Sequence, residues 1–160
     1  MATPSASSSR VAGALARLGL RGDVREMPES TRSAAEAAAA LGCDVAQILK
    51  SLVFRAVRED APVLVLASGA DRVDEAKLAV VVGDDVERAS GAFVRARTGY
   101  AIGGVPPVGH DDAIAVYMDE RVLAHEHVWA AAGTPRSVFT VSPADLVRAT
   151  GATVVDVADA

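Results

Sequence analysis

Cysteine occurs once in this sequence, at Cys43. A lone cysteine excludes an intrachain disulfide and fits a reducing compartment, so a cytoplasmic location is expected. Aromatic residues are scarce at 4%, although 51% of the 160 residues are hydrophobic. Much of that apolar content is alanine and valine, so the core must come from many short, closely packed elements. Positive charge is also in deficit: 16 Lys and Arg stand against 21 Asp and Glu, a formal charge of −5. Broad non-specific binding to nucleic acid depends on basic patches that release counterions, so DNA is not an expected partner. A grip on one end of an RNA through a few contacts passes this test. No run is long and apolar enough to span a bilayer, and no membrane partner is expected. Met1–Ser9 lacks the apolar segment of a signal peptide and reads as a disordered tail, with residues 10–160 as one domain.

Helix signals are local and clear. Arg10–Leu18 has Val11, Leu15 and Leu18 at helical spacing, closed by Gly19. Ser33 and Glu36 form a capping-box pattern that opens an alanine-rich helix stopped by Gly42. Asp44–Gln47 repeats this logic for one short turn. Asp71 or Asp74 caps a helix through Val82, ended by Gly83. Ser90–Arg97 is a short helix stopped at Thr98-Gly99, and Ser142-Pro143 starts another that runs to Ala149. Strands are expected at Asp23–Met27, Ile48–Val57, Val63–Ala67, Ala113–Met118, Glu126–Ala131, Ser137–Val141 and Thr153–Val157, with a turn at Asp119–Leu123. The near-continuous apolar run Val63–Ala67 marks a central strand. Helices and strands mix without a βαβ rhythm, which predicts an α+β domain around a curved mixed sheet.

Two features can carry chemistry. Thr98–Asp112 holds four glycines and two adjacent prolines with almost no charge before its end. Glycine lets the backbone approach a ligand and proline stiffens it, so this is a shaped loop that can present N–H groups to a carbonyl or its oxyanion. It can equally be a tight helix-to-strand connection. It matches neither a Walker A sequence nor Gly-x-Gly-x-x-Gly. The second feature is Lys50, the one lysine in the apolar run Ile48–Val57. Strand alternation puts it on a face with Leu52 and Phe54. Its stem can lie on apolar neighbours with the ammonium in water. Alternatively, the partly desolvated cation seeks a phosphate, a carboxylate or a developing oxyanion.

Other candidates are weaker. His125-Glu-His127 puts two imidazoles on one strand face but lacks the spacing and the further ligands of a zinc site. Cys43 reads as a small buried filler, and Tyr100 as a core residue. Asp84-Asp85 and Asp111-Asp112 read as solvated turns. No Ser-His-Asp arrangement suggests itself, so an enzyme built from this chain needs a substrate that is already reactive.

From about Thr31 onward the chain resembles the YbaK-like family, related to the editing domain inserted in bacterial prolyl-tRNA synthetase. The resemblance rests on ordered pieces: Thr31, Gln47-Ile-Leu-Lys50-Ser51-Leu52, Lys77-Leu78, Thr98-Gly-Tyr100, Gly103-Gly-Val-Pro-Pro107 with Gly109, Asp119, and Gly133-Thr-Pro135. It implies an α+β fold, no metal or organic cofactor, and hydrolysis of the ester of a mischarged tRNA, Ala- or Cys-tRNA(Pro) foremost. The partners implied are the acceptor end of that tRNA and prolyl-tRNA synthetase. By the same resemblance Lys50, Gly103 and Gly104 are the catalytic positions, with Lys50 on the terminal phosphate or ribose. Gly103–Pro107 amides would face the aminoacyl carbonyl, and the terminal ribose hydroxyl would help to activate water. Thr31, Ser51, Thr98, Gly99, Val105, Pro106, Pro107, Gly109, Asp119 and Gly133 are the implied substrate-binding positions. Ser51 keeps the hydroxyl of the family's commoner threonine. Ala131-Ala132-Gly133 lacks the serine of members that act on cysteine, which counts against that substrate. The competing function is a non-catalytic module that binds a nucleotide or an aminoacyl-adenosine.

Overall fold

The computed structural model describes residues 6–20, 23–27, 33–110 and 114–159. Thr31 and Asp111-Asp112 lie outside these residues. Among them, strands β1 (Arg25–Glu26), β2 (Leu49–Ala56), β3 (Ala61–Ser68), β4 (Val86–Arg88), β5 (Ala115–Asp119), β6 (Val128–Ala131), β7 (Ser137–Val141) and β8 (Thr153–Val155) form two sheets. The larger is mixed, in the order β4-β2-β3-β5-β8, and the smaller runs β1-β7-β6. β2 and β3 form an antiparallel hairpin from Leu49↔Ser68 to Ala56↔Ala61. β5 joins β3 in parallel and β8 joins β5 in parallel. A parallel bridge, Ile48↔Trp129, stitches the two sheets together. The expected α+β class with a mixed sheet is the architecture observed.

Helices α1 (Ala6–Arg17), α2 (Ala34–Leu41), α3 (Glu75–Val82), α4 (Gly91–Thr98) and α5 (Pro143–Thr150) surround the sheets. Their ends are set by the caps visible in the sequence. Ser33, Ser90 and Ser142 each accept a backbone N–H three residues on, and Asp74 accepts those of Ala76 and Lys77. Gly42, Gly83, Gly99 and Gly151 close the four helices in the left-handed region, where glycine meets no steric penalty. Helix α1 starts earlier than its apolar spacing predicts. Ala6–Ser9 are helical and Ser8 is buried, so the disordered tail does not reach Ser9.

The two faces of β2 serve different cores. Leu49 and Val53 pack with Tyr100, Val105, Met118 and Phe139. Leu52 and Phe54 pack with Val65, Leu78 and Val157. Tyr100 is fully buried, as expected, and accepts a hydrogen bond from Arg10 Nε at 3.2 Å.

Several expectations are corrected. β4 was not anticipated, because Val86-Glu-Arg88 has no apolar alternation and gains its order from pairing with Phe54–Ala56. Asp84 is buried rather than solvated, and its carboxylate accepts the Arg58 and Glu59 N–H groups. β6 starts at Val128, so His125 and His127 precede the strand and do not share one of its faces. Among the described residues no three His, Cys, Asp or Glu gather as metal ligands. β8 stops at Val155, because the Val157 and Ala158 N–H groups are donated to Asp119 instead. No helix among the described residues is long and apolar enough to cross a membrane.

Candidate functional site

The site is built on an unpaired stretch of strand edge. β4 pairs with β2 at Phe54–Ala56 and the Ala89 N–H reaches Val53 O, so the preceding edge, from Lys50 to Leu52, is left to line a cleft. One wall is α2, through Ala34, Ala37 and Leu41; the other comprises Ile102, Gly103 and Val105, with Trp129 and Thr134-Pro135 closing the end. The volume is about 360 Å³, within the range of small-molecule sites. Most of the lining is apolar, so any polar group that enters must find its partners among few protein atoms.

Lys50 lies near the start of β2, half-buried, and its Nζ donates to the Asp71 backbone oxygen. An ammonium has three N–H donors, so this bond orients the group and leaves donors for a ligand. Burial pushes the Lys50 ammonium below its ordinary value; the nearby Asp71 carboxylate opposes this, and Arg88 and Arg72 reinforce it. Ser51, on the opposite face of the strand, also lines the cleft. Its Oγ is buried and has no hydrogen-bond partner among the described residues.

The glycine loop divides in function. Gly103, with φ of 89°, and Val105 line the cleft. Gly104 does not, since it is pressed against the Thr134 backbone and donates its N–H to Ala101 O at 2.9 Å. Pro106 and Pro107 have no N–H. Of the three N–H groups that the expected Gly103–Pro107 wall contains, two can therefore face a ligand, those of Gly103 and Val105. Pro107 and Gly109 turn away and line a second hollow against Ala14 and Arg17 of α1.

The remaining predicted positions do not line the cleft. Thr98 is buried, donates to Val94 O at 2.7 Å and accepts the Tyr100 N–H at 3.1 Å, while Gly99 closes α4. Asp119 is fully buried and accepts the N–H groups of Arg121, Val157 and Ala158. Gly133, with φ of 102°, packs so closely on α1 that a Cβ would lie 2.7 Å from Ser7 O. Cys43 is half-buried in a small apolar cluster. Conversely, Trp129, Thr134, Ser137 and Arg88 line the cleft without having been nominated. Only the Thr-Pro pair after Gly133 carried a signal for any of them.

The aminoacyl-tRNA editing domain family matches residues 28–149, a span that contains the whole cleft. The chain is 32% identical to the uncharacterized protein YwhH of Bacillus subtilis (strain 168) over 124 residues, 78% of each chain. It is 35% identical over 91 residues to the proline--tRNA ligase of Limosilactobacillus fermentum (strain NBRC 3956 / LMG 18251), covering 54% of this chain but 16% of that ligase. A crystal structure of a protein provisionally assigned as a trans-editing enzyme for prolyl tRNA synthetase superposes with a TM-score of 0.91 at 45% identity. That match covers 99% of this chain and 100% of the other.

Proposed function

Because the chain belongs to the aminoacyl-tRNA editing domain family, we propose that it hydrolyses mischarged aminoacyl-tRNA in trans, with Ala- or Cys-tRNA(Pro) as substrate. The observation that carries this reading is that Lys50 and the Gly103 and Val105 backbone, some fifty residues apart, line one cleft. An aminoacyl ester is already activated, so positioning and electrostatic stabilisation can supply most of the acceleration. Water adds to the ester carbonyl carbon, the bond to the ribose oxygen breaks, one water proton ends on the ribose oxygen, and the other is released to solvent as the amino acid departs as its carboxylate. In this scheme the Gly103 and Val105 N–H groups receive the developing oxyanion. Lys50, oriented by Asp71, holds the terminal phosphate or ribose.

The apolar lining supports selection by size. A single methylene separates substrates by only about 1–3 kcal/mol in such a pocket, so excluding the larger proline ring needs walls that do not yield. The −5 charge predicts weak affinity for free tRNA, with prolyl-tRNA synthetase as the partner that supplies additional grip.

The experiment is deacylation of tRNA(Pro) charged separately with Ala, Cys, Ser and Pro. Small residues should be released many times faster than the uncatalysed rate while Pro-tRNA(Pro) persists. If none is released faster than in buffer, the hydrolase reading fails and a non-catalytic aminoacyl-adenosine binder replaces it.

A further inference from the structure

A buried hydroxyl network ends at the cleft and belongs to none of the groups assigned above. Ser137 Oγ, in β7, lies 2.8 Å from Glu26 Oε1 of β1, 2.7 Å from Ser8 Oγ of α1 and 2.6 Å from Thr134 Oγ1. Ser8 Oγ also reaches Glu26 Oε1 at 3.2 Å. Ser8 and Ser137 are buried, and Ser137 and Thr134 line the cleft.

Proton directions follow from the acid. A carboxylate only accepts, and a hydroxyl has one proton and two lone pairs. Ser137, at the shorter distance, therefore donates to Glu26 and has no second proton, so its oxygen accepts from Thr134, while the single Ser8 proton is shared between Glu26 and Ser137. Thr134 has then spent its only proton. One of its lone pairs takes the Arg136 N–H at 3.2 Å, and the other has no partner among the described residues. Thr134 thus presents an acceptor with no donor, made more electron-rich by a chain that ends in a negative charge. The Thr134 backbone packs against Gly104, which sets this acceptor beside Gly103 and Val105.

We propose that the Thr134 hydroxyl, polarised by Glu26 through Ser137, is the acceptor for the α-ammonium of the aminoacyl group. This rests on the editing reading above. An aminoacyl ester carries a cation two bonds from the carbonyl carbon, and neither the Lys50 ammonium nor the Gly103 and Val105 N–H groups can accept from it. A donor-free oxygen next to the carbonyl site meets that need. It also tells an aminoacyl ester from an acyl ester without an amine.

The test uses two stable ligands, 3′-alanylamino-3′-deoxyadenosine and its 3′-propionylamino counterpart, which differ only in the ammonium. Wild type should bind the alanyl compound roughly tenfold to a hundredfold more tightly, as a charge-assisted hydrogen bond implies. Thr134→Val should bind both equally, Thr134→Ser should restore the preference, and Glu26→Gln should reduce it. A merely structural Thr134 would weaken both ligands alike and leave their ratio unchanged. Equal affinities in wild type, binding of neither ligand, or an intact preference in Thr134→Val would each overturn the proposal. Failure of the editing reading is distinct: wild type would separate the two ligands yet release no amino acid from Ala-tRNA(Pro).

Discussion

A methyl carbon placed on Gly104 would lie 2.8 Å from the Cα of Thr134 and 3.0 Å from its backbone N and C atoms. The obstacle is main chain on both sides, so no rotamer change can relieve it. Gly104 is glycine because two loops meet there without room for a side chain, and that meeting brings Gly103 and Val105 next to Thr134. Gly104→Ala should therefore destabilise the protein by about 1–3 kcal/mol, the usual range for overpacking. It should also reduce deacylation more than the fraction unfolded explains. Chemical denaturation beside a rate assay checks this, and unchanged stability with full activity would contradict it.

Ser51 makes the opposite case. Its buried Oγ has no partner among the described residues, and an unsatisfied hydroxyl weakens a fold. Ser51→Ala should leave stability unchanged or raise it by up to about 1 kcal/mol, while lowering ligand affinity if the hydroxyl serves the substrate. A midpoint that falls would show that Ser51 has a structural partner after all.

These two residues also mark where sequence reading succeeds and where it stops. Helix caps such as Ser33 with Gly42, or the Ser142-Pro143 start, are decided within four residues, and the structure has them as expected. β4 was invisible because its order comes from Phe54–Ala56, some thirty residues away. The Glu26–Ser137 contact joins residues 111 positions apart, and nothing local announces it. Within the glycine loop the pattern marked a shaped turn. It could not show that Gly104 faces Thr134 while Gly103 faces the cleft, since both are the same letter. Order and spacing likewise nominated Thr98, Gly99, Asp119 and Gly133 together with Lys50. The geometry separates residues that shape the surrounding loops from one that enters the hollow.

Asp119 tests that separation. It is fully buried, and its carboxylate holds the Val157 and Ala158 N–H groups at 2.9 and 3.1 Å, tying the C-terminal segment to the end of β5. Asp119→Ala would strand these donors, at a cost on the order of 3 kcal/mol. The loss should appear in the unfolding midpoint, with the rate per folded molecule nearly unchanged at low temperature. A large fall in that rate without a change in midpoint would put Asp119 in the site instead.

Lys50 links function to pH through the sign of its shift. Burial, the largest influence, lowers its ammonium below the ordinary 10.5, with Asp71 opposing and Arg88 and Arg72 reinforcing. The unfolded chain, where this lysine titrates normally, then binds the proton more tightly than the folded one. Stability rises with pH wherever the unfolded state holds more protons. The charged Lys50 thus weakens the fold near neutrality, and that penalty fades as pH climbs from the depressed folded value toward 10.5. Lys50→Met removes the titration but keeps the stem. Relative to this variant, wild type should gain stability as pH rises toward 10.5, the ordinary value below which the folded ammonium is held, measured by urea unfolding of both proteins. The variant should meanwhile lose about 10²–10³ in deacylation rate, as removal of a stabilising charged donor does. A stability gap that stays constant with pH would mean that the Lys50 ammonium is as well solvated in the folded protein as in the unfolded chain. A variant with full activity would remove Lys50 from the reaction.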